Sequence, residues 1–516
     1  MKRNIFIIAS MVVLLVGCRQ KSDHVLNYAY QDRMAFGEAS RSYAAKFDVF
    51  WQGMNANYAL WDFEEAQGLD WDAVYDEYYP KFKALDEQQT AVTDEQLQSL
   101  LAEVTTPLHD GHLAIQMQNH ATGNFVAVLP SRLRKQKERP EEYAAANALN
   151  PTLYYYTTTG DLIARKEAST NTMYAAMRTV LAYIRPIIEE LEQKASRTEE
   201  EEELLTLYMK VYYGLESVIA IQNQRGMAAA VTAYNELAMR YEYAQIPGLD
   251  RVNPALNEMQ FSVEYGLFKG NIAYLRFNGF KLTAFLDPTA TDALFGTDRS
   301  ASTQAVIDDI ADTWRAWFNA IQEHQKAGDL GGVIIDVRSN GGGFLNDFRY
   351  VIGALVPSGG FLNCKARFKR GTGRYDYSPV MPQEMLTMDE EHVTVTAPIA
   401  VLCNCNSISM AEHTSMGAKL LDNGRLIGTR THGGFCALTD GEGYTNNYSG
   451  YVGVQNSTPV FCYIPQEVAI TLDDKIIEGY GIEPDIEVPF NMTLWAGGEG
   501  PDNQINRALE YIRTGN

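Results

Sequence analysis

Residues 397–404, "APIAVLCN", run directly into residues 405–421, "CNSISMAEHTSMGAKLL". The first segment is an apolar run of strand length bounded by proline and asparagine, and the second places its apolar positions at helical spacing. A buried strand is therefore expected to turn straight into a helix, with Ser407 and Ser409 at the junction. An S-x-S pair there reads equally as a helix cap. The other reading makes Ser409 a nucleophile at the positive end of a helix, where the Met410 amide faces developing negative charge. The G-x-S-x-G elbow of other hydrolases is absent.

Upstream, "GGVIIDVRSNGGGF" (331–344) reads as an apolar strand that ends in three glycines, Gly341 to Gly343. Glycines after a strand let backbone amides approach a ligand, which an oxyanion hole requires. A phosphate cradle would call for GxxxxGK[ST], which is missing. From about residue 258, strand signals such as "NIAYLRF" (271–277) and "GRLIGT" (424–429) alternate with helical stretches such as 302–325. Such alternation predicts an α/β domain over 258–516 with a mainly parallel sheet covered on both faces. "DNQINRALEYIR" (502–513) reads as a closing helix.

The amino-terminal part has a different texture. Aromatics three and four apart in 47–61 and 70–86, and "TDEQLQSLLAEV" (93–104), predict a helical domain over 26–120 that ends in "LHDGHLAIQ" (108–116). Residues 121–257 form an intermediate region. Within it, 160–245 reads as a helical insert of two long helices joined at the acidic run Glu199 to Glu203.

Three motifs, "GGVIIDVRSNGGGF", the stretch from "APIAVLCN" through "THGG" (431–434), and "IIEGYGIEPDIEV" (476–488), together resemble serine peptidase family 41, which holds the C-terminal processing peptidases and the tricorn protease core. The resemblance spans 258–490 and extends more weakly to the helices before "LHDGH". It implies a crotonase-like α/β core and a nucleophile at the middle serine of an S-x-S-x-[SA]-E run, here Ser409, with Glu412 closing the run. One branch of the family takes a lysine base from the turn after the next strand. Gly434 stands at that position, so the resemblance points to the tricorn-like branch, whose base is a histidine from an amino-terminal segment. "LHDGH" matches that segment and nominates His112, with Gly111 where the branch carries a serine. Glu478 is the acidic candidate for orienting the ring, with Asp110 and Asp485 as alternatives. The oxyanion donors would be Met410 with Gly342 or Gly343. No PDZ domain is evident, and the helical insert occupies comparable chain positions.

Of the 8 histidines, His432 in the glycine turn is the best rival base, and His413 is expected to pack on the nucleophile's own helix. His109 and His112 form an HxxH pair that raises a metal-assisted hydrolase, yet no HExxH glutamate or third ligand accompanies them. No cofactor is expected.

The chain has 516 residues, 46% hydrophobic and 21% charged, enough for a large core in more than one packed unit. A net charge of -22 repels phosphate backbones and argues against nucleic acid as a partner. Lys2, Arg3, an apolar run from Ile5 to Val16 and "LVGC" ending at Cys18 resemble the signal peptide and lipobox of a bacterial lipoprotein, residues 1–18. The expectation is export to the cell envelope and a lipid anchor at Cys18, since several acyl chains hold a protein stably at a membrane. Cys403 and Cys405 are expected to be core thiols. The sequence thus predicts a membrane-tethered serine endopeptidase acting on peptides or unfolded envelope proteins. The competing expectation, prompted by Gly111 and Gly434, is a catalytically silent lipoprotein of the same fold that binds peptides or apolar ligands.

Overall fold

The computed structural model describes residues 39–149, 161–371, 373–389, 392–437, 451–453, 455–495 and 500–515; Cys18 and the expected signal segment lie outside them. The described strands are β1 (Ala114–Gln118), β2 (Phe125–Val128), β3 (Leu162–Ser169), β4 (Ser262–Phe268), β5 (Ile272–Phe277), β6 (Gly332–Asp336), β7 (Phe361–Phe368), β8 (Met381–Met385), β9 (Ile399–Cys403), β10 (Gly424–Gly428), β11 (Tyr451–Val452), β12 (Val460–Tyr463), β13 (Glu467–Ile470) and β14 (Ile486–Glu487).

Seven of them form the central sheet in the order β14-β10-β9-β6-β5-β4-β3. Pairing is parallel from β14 through to β5 and antiparallel for β5 with β4 and β4 with β3. The fold is thus mixed α/β with a mainly parallel sheet. β6 and β9 are buried at every residue, which is why both read as unbroken apolar runs. Successive side chains on a strand point to opposite faces. Accordingly Ile399, Val401 and Cys403 of β9 join the core beneath the helix Ala301–Ala327, whereas Ala400 and Leu402 join a second core under the helix Asn503–Thr514. Ser300 caps the first of these helices and Gly328, at φ 73°, ends it; Asp502 caps the second.

The amino-terminal helices Tyr43–Asn57, Trp61–Ala66, Trp71–Glu87 and Asp94–Thr105 do not close a core of their own. They share one with Val126 and Val128 and with residues contributed by 436–470, including Val452, Val460 and Ile464. A small antiparallel sheet, β11-β12-β1-β2, stitches these segments together, with Ala114 opposite Tyr463 and Met117 opposite Val460. The segment carrying "LHDGH" is thereby delivered to the carboxyl-terminal half of the chain.

The insert departs from the expected helix pair. Residues 162–169 are strand β3, the edge of the main sheet, and three helices follow: Thr172–Gln193, Glu199–Arg225 and Met227–Tyr241, around Val180, Ile184, Val211, Leu215 and Tyr234. The acidic run is not a joint. It forms the first turn of the second helix, behind a Thr198–Glu201 capping box, where carboxylates favour the positive helix end. Gly226, at φ 86°, supplies the break that periodicity alone does not reveal.

Candidate active site

Strand β9 ends at Cys403, and the next residues make a tight turn before the helix Met410–Leu420. Ser407 shapes that turn: its hydroxyl donates to the Val337 carbonyl at 2.7 Å and accepts from the Asn404 amide at 3.0 Å. Ser409 does something else. It stands at the helix head with φ 61° and ψ -121°, a left-handed backbone that non-glycine residues adopt only under constraint. Its amide donates to the Gly434 carbonyl at 3.0 Å and lies 3.3 Å from Glu412 Oε2. Met410 is the first helical residue, so its N–H has no acceptor within the helix.

The glycine run lies directly over Ser409. A Cβ at Gly342 would come within 2.5 Å of Ser409 Cβ and 3.0 Å of its Oγ, so only glycine fits. The Gly342 amide, however, donates to Asn340 Oδ1 at 2.9 Å and is spoken for. Gly343 is held by its neighbours, with Phe280 donating to the Gly342 carbonyl and Phe344 to the Phe280 carbonyl, both at 2.8 Å. Its own N–H has no acceptor among the described residues. The two glycine candidates are therefore not equivalent: Gly342 makes room, and Gly343 keeps a free donor.

His112 arrives from the loop before β1. Asp110 Oδ1 accepts from the His112 and Leu113 amides at 2.7 and 3.1 Å, an Asx-type turn that sets the ring's direction. The carboxylate of Glu478 joins the two halves of the site, accepting from the Gly111 amide at 2.8 Å and from the Cys436 amide at 2.7 Å. Gly111 explains its own presence, because a Cβ there would lie 2.3 Å from the Gly433 carbonyl oxygen and 2.5 Å from Gly434 Cα. No serine can occupy that position in this chain. Gly434 likewise separates Ile408 from the imidazole: a Cβ on it would fall 2.6 Å from Ile408 Cγ1 and 3.3 Å from His112 Cε1. The ring of His112 thus lies across Gly434 from Ile408, the residue that precedes Ser409. Both ring nitrogens are buried without a hydrogen-bond partner, as is Asp110 Oδ2. Burial, with His413 and Lys135 nearby, pushes His112 down to about 4. The imidazole is neutral at physiological pH and able to accept a proton.

Burial and the neighbouring carboxylate push Asp110 well above the usual range, and Glu478 is pushed up to about 7, first by burial. Asp110, His112 and Glu478 offer donor atoms within 4.8 Å of one another, which makes them, among the described residues, the set that could hold a metal ion. The HxxH pair does not converge. His109 Nδ1 turns to Glu64 Oε2 at 2.8 Å. Asp485 is elsewhere too, accepting from the Leu426 amide at 2.8 Å and pairing with Lys419 to brace β10. The rival base His432 has Nδ1 3.2 Å from the Cys405 carbonyl, which places its proton there, and Nε2 3.3 Å from Ser131 Oγ. Both nitrogens are thereby engaged. His413 stacks on Phe435 and meets Asn363 through Nδ1 at 3.0 Å. Cys364, Cys403, Cys405, Cys436 and Cys462 are buried free thiols.

The sequence profile of peptidase family S41 matches residues 271–488. That stretch, less than half of the chain, is similar to family S41. The matched stretch holds Ser409, Met410, Gly343, Glu412 and Glu478, while His112 lies outside it. Tricorn protease of Thermoplasma acidophilum is 28% identical over 188 residues, 36% of this chain and 15% of the relative. The chain therefore spans about 15% of the length of that curated relative. Among solved structures, mature CPAF complexed with lactacystin is similar at TM-score 0.45 and 12% identity, with 93% of this chain and 100% of that one covered. The crystal structure of the tricorn protease is similar at TM-score 0.27 and 16% identity over 52% of this chain and 24% of that one.

Lys135 escapes a reading of the sequence. "PSRLRKQKERP" (130–140) has the look of a solvated basic helix, yet Lys135 on the helix Pro130–Glu138 is only 3% exposed and its Nζ has no hydrogen-bond partner. The i, i+4 spacing of Ser131 and Lys135 is the one signal that both lie on the face turned toward the site.

Proposed function

We propose that the protein is an exported, lipid-anchored serine endopeptidase acting on peptides or unfolded segments of envelope proteins, with a histidine rather than a lysine as base. The observation that carries this reading is the strained backbone of Ser409 at the helix head, packed under Gly342 and one glycine away from a neutral buried imidazole. In the acylation step Ser409 Oγ attacks the scissile carbonyl carbon and its proton passes to His112. The oxyanion is held by the amides of Met410 and Gly343. The C–N bond then breaks as His112 returns the proton to the departing amine, and water, deprotonated by the same imidazole, releases the acyl group. Glu478 positions the ring indirectly, holding its loop through the Gly111 amide. The anchor would be Cys18, which keeps the activity at the membrane surface of the envelope.

A fluorophosphonate probe tests the assignment. It labels the folded protein at Ser409, Ser409→Ala abolishes labelling and His112→Ala reduces it by at least tenfold. The second reading, a silent peptide- or apolar-ligand-binding lipoprotein, is favoured by the unpartnered ring nitrogens of His112. Folded wild type that binds peptide without reacting with the probe selects it. Metabolic incorporation of a fatty acid, lost in Cys18→Ala, tests the anchor.

A further inference from the structure

Asp110, His112 and Glu478 meet from two distant parts of the chain. Asp110 and His112 share the loop before β1, and Glu478 stands in the segment between β13 and β14. One donor atom from each lies within 4.8 Å of the other two. No hydrogen bond joins the ring to either carboxylate: both nitrogens of His112 are buried without a partner, and so is Asp110 Oδ2. The three side chains are thus arranged around a common point rather than bonded to one another.

Both carboxylates are buried, Asp110 at 0% and Glu478 at 2% exposed. Backbone amides hold them, those of His112 and Leu113 for Asp110 and those of Gly111 and Cys436 for Glu478. Amides orient the two groups and bring no net positive charge. Buried charges are ordinarily paired or bound to a metal, and a divalent ion balances two carboxylates beside a neutral imidazole. Two oxygens and one imidazole nitrogen suit a first-row transition ion such as Zn2+, whereas Mg2+ and Ca2+ take oxygen ligands. Ligand distances of about 2.0–2.2 Å call for only a small inward movement of these side chains. The amides behind the carboxylates are the outer contacts that keep such ligands in place.

We propose that Asp110, His112 and Glu478 form an inhibitory site for a divalent transition-metal ion, which ties the His112 loop to the carboxyl-terminal half of the chain and withholds the imidazole from Ser409. A neutral imidazole has one nitrogen able to accept, and a nitrogen that gives its lone pair to a metal takes no proton. The silencing rests on the Ser409–His112 reading above; the binding of the ion does not.

Two measurements test it. Titrating the folded, chelator-treated protein with Zn2+ in a calorimeter gives one tightly bound ion per chain. His112→Gln and Asp110→Asn each weaken binding about tenfold or more, while His109→Gln, which breaks only a contact with Glu64, leaves it unchanged. The ring makes no hydrogen bond and asparagine keeps an acceptor for the His112 and Leu113 amides, so both variants fold, which circular dichroism checks. Co2+ in place of Zn2+ gives the visible bands of a nitrogen–oxygen site, and His112→Gln abolishes them. The site is overturned by the lack of a stoichiometric ion or by an affinity indifferent to both variants. A thiolate charge-transfer band in the cobalt spectrum, which would put the ion on a buried cysteine, overturns it as well. For the consequence, Zn2+ slows fluorophosphonate labelling of wild type about tenfold or more and a chelator restores it; labelling indifferent to bound Zn2+ overturns the silencing. A metal-free wild type that binds Zn2+ as stated yet never labels leaves the site standing and removes the peptidase reading, and the silencing with it.

Discussion

The Ser409 amide donates to the Gly434 carbonyl at 3.0 Å, while the Gly434 amide donates to Glu412 Oε2 at 2.6 Å. The glycine turn and the helix Met410–Leu420 are thus locked by one residue acting as both acceptor and donor, and the site's geometry hangs on that lock.

The strain at Ser409 is measurable. A left-handed non-glycine residue costs on the order of 1–3 kcal/mol. Ser409→Gly is expected to unfold at higher denaturant than wild type, by about that amount, while losing all probe labelling. Ser409→Ala, which keeps the strain, loses labelling without the gain.

Gly111 and Gly434 are expected to tolerate nothing larger. Gly111→Ser drives a side chain into the Gly433 carbonyl, with a loss of about 1–3 kcal/mol or more. Gly434→Ala pushes Ile408 and the imidazole apart, and its signature is a fall in kcat of more than tenfold with a smaller change in melting temperature.

If His112 is the base, the acid limb of kcat/KM falls near 4, not near the ordinary 6.5. A rate that holds level from neutral pH to below 6 and then drops is the expected profile. For stability the sign is the same. The unfolded histidine takes a proton near 6.5 and the folded one near 4, so the unfolded chain binds more protons in that interval and stability falls as pH drops through it. His112→Asn flattens this part of a melting-temperature curve.

Glu478 has the opposite sign. Its folded carboxyl, pushed up to about 7, holds a proton that the unfolded chain has released, so its contribution is complete below the usual carboxylate range and lost as pH rises through about 7. Glu478→Gln removes that alkaline loss. A glutamine has one acceptor oxygen for the two amides of Gly111 and Cys436, and the orphaned amide costs about 1–3 kcal/mol at low pH. Melting curves at pH 5 and pH 8 separate the two effects.

Where local pattern carries the information, the sequence is a good guide. The unbroken apolar runs of β6 and β9, the helical spacing after Ser409 and the glycines after β6 depend on neighbours in the chain, and each is found as expected. What is missed depends on contacts between distant segments. β3 is an edge strand whose half-exposed residues show no clean alternation, so it passes for part of the helical insert. The commitment of the Gly342 amide to Asn340 is local but depends on a side-chain rotamer. The burial of Lys135 and the exclusion of a serine at position 111 are set by a turn about three hundred residues away, and no periodicity reports on that.

The strand β1 that follows His112 is held in register by β12, Val460–Tyr463, which the ribosome produces later than Ser409. If Ser409 and His112 act as proposed, the alcohol is made before the strand that seats the imidazole, so the pair cannot be assembled until β12 has emerged.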